Sequence, residues 1–210
     1  MKKTLSYILA IVVCLATLCG CGDTPGGGQT TDGPRDSVML RNALGMQTTD
    51  PADTNETDVL TVNEQIYEGL YTLDESGGGY QPCLAKQVDI SDDATVYTIT
   101  LQDGVKFHNG ETLKASDVVF SYQHFMDNPK YNSYTDMIEK VEALDDSHVV
   151  ITIARPYSPI LHTFFKIKIL SEKEVTSQGS DFGTIANLAG TGPYYMEAET
   201  YRPNSGWTWY

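Results

Sequence analysis

Cysteine is scarce wherever this chain would fold. Four are present, but Cys14, Cys19 and Cys21 sit in the opening segment and Cys83 stands alone between Pro82 and Leu84. With the opening segment removed and Cys21 modified, no intrachain disulfide is possible, which excludes a disulfide-stapled fold. No His or basic side chain neighbours Cys83 in sequence, so it reads as a small core residue rather than a nucleophile. Positive charge is also short: 14 basic side chains face 28 acidic ones, a formal net charge of −14. That balance disfavours nucleic acid and anionic lipid surfaces as partners and keeps the chain soluble. Catalytic patterns are missing too. There is no G-x-S-x-G, no H-E-x-x-H and no glycine-rich phosphate loop. His108, His124, His148 and His162 lie far apart without metal-ligand spacing. An enzyme is therefore the distant reading, and no cofactor or resident metal is indicated.

A long apolar run is the last absence. Leu5 to Leu18 is almost unbroken hydrocarbon, yet shorter than the roughly 20 residues that cross a bilayer comfortably. Behind the positive start Met1-Lys2-Lys3 it has the layout of a secretory signal peptide. Its ending, Leu18-Cys19-Gly20-Cys21, resembles the bacterial lipobox, in which the last cysteine is lipidated and becomes the mature N-terminus. Cys19 is the poorer candidate, because bulky Leu18 would occupy the cleavage position. Residues 1–20 are thus expected to be a lipoprotein signal, and Cys21 the lipid site. Cleavage removes Lys2 and Lys3, so 14 basic groups become 12 against 28 acidic ones, a net −16. Residues 22–36, rich in Gly, Pro, Thr and Asp, bury too little to order themselves and read as a flexible tether. This places the folded part on the extracytoplasmic face, held to the cell membrane by lipid.

Residues 37–210 suffice for one domain of ordinary size, and 40% hydrophobic content allows a real core. Ser37 to Ala43 reads as a first strand, followed by the polar loop Thr48-Thr49-Asp50-Pro51. Val59, Val62, Ile66 and Leu70 recur at helical spacing, with Gly69 near the helix end. Leu70 to Leu73 is a short strand, and Glu75 to Gly79 an exposed turn. Thr95 to Leu101 alternates, with Tyr97, Ile99 and Leu101 on one face. Asn109-Gly110 suggests a type I′ hairpin turn. Ser116 is placed to cap a helix whose face carries Val118, Tyr122 and Phe125, with Asp117 in its first turn. Met137 to Leu144 and His148 to Ala154 make a further hairpin. Ile160 to Phe165 reads as a short apolar helix, Lys166 to Leu170 as a strand, and Ser171 to Glu174 as another helix start. Tyr67, Tyr71, Tyr97 and Tyr122 read as core residues with wet hydroxyl ends. Strands and helices mix without a strict βαβ period, so the class is α+β or mixed α/β.

Three segments then share a family likeness. Val105 to Ser121 (Val-Lys-Phe-His-Asn-Gly-Glu-Thr-Leu-Lys-Ala-Ser-Asp-Val-Val-Phe-Ser) resembles the signature of solute-binding protein family 5, the oligopeptide-, dipeptide- and nickel-type receptors of ABC importers. Upstream, Asp50-Pro51, Ile66-Tyr67-Glu68-Gly69-Leu70 and Pro82-Cys83-Leu84-Ala85 are similar to that family's opening. Downstream, Gly190-Thr191-Gly192-Pro193-Tyr194 is similar to its glycine turn. The likeness runs roughly from Asp36 to Met196.

The resemblance implies a periplasmic-binding-protein-like fold of type II, with two lobes closing around a ligand by hinge motion. It implies a receptor that binds peptides or similar small solutes and delivers them to a membrane permease. Family members run much longer, so residues 37–210 match only the N-terminal part, with the second lobe largely missing. The chain reads as a fragment or as a truncated product; a peptide-signal receptor and a non-functional fragment are the alternatives. Candidate ligand residues are Thr48, Thr49 and Asp50 after the first strand, and Gly190, Thr191 and Gly192, which offer amides and a hydroxyl at a tight turn. The solute, whether oligopeptide, dipeptide, nickel chelate or sugar, stays open.

Overall fold

The structure, a computed structural model, describes residues 48–183 and 189–196. The signal peptide, Cys21, the tether and the strand expected over 37–43 lie outside the described residues. In chain order the elements are α1 (Thr57–Ile66), β1 (Tyr71–Leu73), β2 (Tyr80–Pro82), β3 (Ala85–Ile90), β4 (Val96–Leu101) and α2 (Ala115–Met126). A 3-10 turn, Pro129–Tyr131, leads to α3 (Asn132–Thr135), β5 (Ile138–Ala143), β6 (His148–Ile153), α4 (Ile160–Lys166) and α5 (Glu172–Gln178), which ends in a 3-10 turn, Gly179–Asp181.

The alternating segments build one antiparallel sheet of four strands in the order β3-β4-β6-β5. Tyr97 pairs with Ile151 and Ile99 with Val149. Period-two alternation therefore points Tyr97, Ile99, Leu101, Val149, Ile151 and Ile153 to one side, where all are buried. Helix α2 packs across β5 and β6 on that layer, with Val118, Tyr122 and Phe125 fully buried. Each such side chain stabilises the fold by about 1.5–3 kcal/mol through area removed from water. Phe164 of α4 closes the layer edge-on against Tyr97, its ring centroid 5.5 Å away.

A second, smaller core forms around α1. Val59, Val62, Ile66 and Tyr67 pack with Leu170, Val175 and Met196. The helix stops at Ile66, and Tyr67 is already extended. Leu70 thus belongs not to the helix face but to the main core. The reason is Gly69, whose backbone lies so close to α4 that a Cβ there would sit 2.6 Å from Phe164 O and 2.9 Å from Phe165 O. A helix continuing through that point has no room.

Three local expectations are corrected. The turn at Asn109-Gly110 is not type I′, because Gly110 is left-handed but Asn109 is not. Phe107 O accepts the Gly110 N–H at 2.8 Å, and Asn109 Oδ1 accepts the Glu111 N–H at 3.0 Å. That side-chain bond favours a type I turn closed by a left-handed glycine. Ser116 does not cap α2: the helix starts at Ala115, Lys114 is its N-cap, and Ser116 is exposed. Asp117 closes the helix end instead, its Oδ2 accepting the Lys114 N–H at 2.9 Å. Lys166 to Leu170 is not a strand. Lys166 ends α4, and the rest makes a single bridge, Gly69 with Lys168, because the partner segment is itself too short to extend a ladder. By contrast, Ser171 caps α5 through Oγ and the Glu174 N–H as its sequence suggests.

Candidate ligand-binding site

The C-terminal end of α1 organises the residues expected to bind. A helix leaves its last carbonyls without intrahelical partners, and here the glycine turn supplies them. Gly192 N–H donates to Ile66 O at 2.8 Å and Tyr194 N–H to Gln65 O at 3.1 Å. The approach requires glycine: a Cβ at Gly190 would lie 1.9 Å from Ile66 O, and one at Gly192 2.6 Å from Gln65 O. The hairpin around Gly110 holds the turn from another side. His108 N–H donates to Gly190 O at 2.9 Å, and His108 Nε2 lies 2.7 Å from Gly192 O.

The amides expected to face a ligand are thus partly committed. Gly190 is buried and its carbonyl is taken; Gly192 uses both its N–H and its carbonyl inside the protein. Thr191 is half-buried, and its Oγ1 is buried without a hydrogen-bond partner. Buried, unpartnered polar atoms also occur on Asn63, at both amide atoms, and on the Tyr67 and Tyr122 hydroxyls. Atoms of this kind receive ordered water or the polar groups of a ligand.

The Thr48–Asp50 loop is fastened to Gly183. Thr49 N–H donates to Gly183 O at 2.8 Å and Thr48 Oγ1 donates to the same carbonyl at 3.1 Å. Thr48 Oγ1 also accepts the Asp50 N–H at 3.1 Å. Thr49 is buried, whereas Thr48 and Asp50 are half-buried. Asp50 Oδ1 accepts the Ala52 N–H at 2.8 Å, and Oδ2 meets His124 Nε2 at 2.9 Å. The His124 ring lies stacked near Phe120 and edge-on to Phe182, centroids 6.0 Å away in both cases. The hydrogen bond to Asp50 raises the His124 pKa above its ordinary value, against the opposing effect of burial.

Tyr67 links the two candidate segments. Its Cδ1 is 3.0 Å from where a Cβ at Gly190 would sit, and burial, then the charges of Asp50 and Glu174, hold its hydroxyl well above the ordinary pKa. Tyr67 and His108 both lie in segments that resemble the family, but no spacing in the sequence marks either of them, or His124, as a partner of the candidate loops, because those contacts span long stretches of chain.

Behind Gly69 sits a buried cation. Lys168 Nζ is 4.4 Å from the centroid of the Phe165 ring, and burial lowers its pKa to about 8. Nearby, Cys83 Sγ donates to Glu68 Oε1 at 3.4 Å, and burial followed by the Glu68 charge pushes the thiol up to about 12. A groove of about 490 Å³ between the starts of α2 and α5, lined by Glu111, Lys114, Asp117, Ser171 and Lys173, contains none of the expected ligand residues. Among the described residues no three His, Cys, Asp or Glu side chains converge as a metal site. No helix among them is long and apolar enough to cross a membrane.

The sequence model of the bacterial extracellular solute-binding proteins, family 5 Middle, matches residues 79–210. This chain belongs to solute-binding protein family 5. Glutathione-binding protein GsiB of Salmonella typhi is 34% identical over 167 residues, 76% of this chain and 32% of its own. NikZ from Campylobacter jejuni, solved with Ni(L-His), is 34% identical with a TM-score of 0.61, covering 76% of this chain and 32% of the other. Listeria monocytogenes OppA bound to peptide is 28% identical with a TM-score of 0.66, covering 71% of this chain and 34% of the other. The family 5 chain described here spans about a third of the length of these relatives, so part of the family fold is present. The family is one of extracellular solute-binding proteins.

Proposed function

We propose that this chain is the extracytoplasmic substrate-binding component of an ABC importer, taking up peptides or similar small solutes and passing them to a membrane permease. Family 5 membership over residues 79–210 carries the reading. The relatives named above bind glutathione, a peptide and a nickel–histidine complex, and these define the solute range. The chain makes no covalent bonds and needs no cofactor in this role, because binding and release by hinge closure are the whole cycle. Ligand contact is assigned to Thr48, Thr49 and Asp50 and to the Gly190–Gly192 turn, with Thr191 the member of the turn whose side chain is uncommitted. Residues 1–20 are read as a lipoprotein signal, Cys21 as the lipid anchor, residues 22–36 as a tether and residues 37–210 as the N-terminal part of the family domain.

Titration calorimetry of the full chain with glutathione, a tetrapeptide and Ni(L-His) tests this. Saturable heat with one of them is expected, and flat traces with all three would sink the proposal. The anchor has its own test: Cys21→Ser should move the protein from the membrane fraction to the soluble one.

A further inference from the structure

The histidine of the family signature and the family's glycine turn are in direct contact, although they lie far apart in sequence. His108 grips the turn twice, by its backbone N–H to Gly190 O at 2.9 Å and by its ring to Gly192 O at 2.7 Å. A carbonyl only accepts, so Nε2 carries a proton and donates it to Gly192 O. Nδ1 is buried with no hydrogen-bond partner. The ring therefore has one polar task inside the protein, and that task is Gly192 O. The opposite side of the turn is tied to the last carbonyls of α1 through Gly192 N–H and Tyr194 N–H. Neither glycine can move toward the helix, since even a Cβ has no space there. The His108 ring also packs near Tyr195, centroids 6.1 Å apart, on the chain leaving the turn.

We infer that His108 is the positioning residue of the glycine turn: it presses Gly190–Gly192 onto the end of α1 and so fixes where Thr191 stands. The inference rests on the proposed binding role for its meaning, but not for its geometry. His108 itself is not assigned to contact solute. The hairpin Lys106–Thr112 acts as a bracket, closed by the Phe107–Glu111 hydrogen bond at 2.9 Å, that delivers the imidazole at the right height.

Hydrogen exchange of the full chain tests the inference without any ligand. His108→Leu keeps bulk but removes the ring donor, whereas His108→Gln places an amide N–H near the former Nε2. In H108L the amides of Gly192 and Tyr194 should exchange about ten-fold faster, the effect of one lost buried hydrogen bond on a local opening. Exchange at Ile99 and Ile151 in the sheet should not change, and H108Q should restore most of the protection. Unchanged exchange at Gly192 and Tyr194 in H108L, or equal acceleration in H108L and H108Q, overturns the inference. Failure of the binding role would appear instead as flat calorimetry of the unaltered protein, with the exchange pattern intact.

Discussion

His124 Nε2 stands 2.9 Å from Asp50 Oδ2, tying the middle of α2 to the loop expected to meet the solute. The pair is largely withdrawn from solvent, with 28% and 13% of the two side chains exposed, so water screens it less than a surface ion pair. Asp53 and Asp127 add to the negative field around the ring, and all three carboxylates favour the imidazolium. Because the folded pKa of His124 is raised, its stabilisation is complete below the unfolded value near 6.5 and is lost as pH rises through the folded value. Urea unfolding at pH 5.5 and pH 8.5 should therefore show a smaller pH effect in Asp50→Asn than in the unaltered protein. The variant should lose about 1.5–3 kcal/mol at the lower pH, the range of a hydrogen bond to a charged group. An equal loss at both pH values would remove the charge from this account.

Gly69 leaves no room for a side chain beside α4. Its Cβ would strike main-chain oxygens of Phe164, Phe165 and Ile167 at 2.6, 2.9 and 3.1 Å, and backbone does not yield as a flexible side chain does. Gly69→Ala should cost at least about 3 kcal/mol. Gly104→Ala meets open space at φ +70° and should cost only about 1 kcal/mol through backbone conformation. Thermal melts of the two variants side by side check the contrast; equal losses would contradict it.

Lys168 is a buried charge that opposes folding. Its pKa is lowered to about 8, chiefly by burial, so the unfolded chain holds the proton more tightly. Stability should rise with pH above about 8 until the unfolded lysine also titrates. Lys168→Met keeps the apolar stem over Phe165 and should stabilise the protein at pH 7 by about 1–3 kcal/mol. It should also flatten the alkaline rise. A destabilised K168M would show that the ammonium–ring contact outweighs desolvation.

Cys83 should be inert. With its pKa pushed to about 12 by burial and Glu68, little thiolate is present at pH 8. Iodoacetamide should label the Cys83 peptide at least about ten-fold more slowly in the native protein than in urea. Matching rates would mean that the site is open.

Period-two alternation made β4 and β6 legible, because the buried face of each recurs at every second residue. The α2 face was equally plain from Val118, Tyr122 and Phe125. Short-range chemistry was less so. Asn109-Gly110 carries the dipeptide of one turn type and adopts another, since the Asn109 side chain bonds the chain two residues on. Ser116 has the right chemistry for a cap but lies one turn position too late, and Asp117 does the work from within the helix. At the candidate site the glycine turn was located but its orientation was not. Glycines suggest free amides, while here they allow carbonyls of α1 to come close. The partners that fasten both loops, His108 and His124, are joined to them across long stretches of chain, and no local pattern records such pairings.

The same pairings set an order of assembly. The sheet grows from neighbouring hairpins, β3 with β4 and β5 with β6, whose contacts are local and therefore quick to form. Helix α1 leaves the ribosome before any of them, yet the amides that satisfy its last carbonyls belong to Gly192 and Tyr194. A nascent chain will thus carry α1 as an unanchored amphipathic segment until almost everything described here has been made. Among the described helices, the first to be made waits longest for the partners of its last carbonyls.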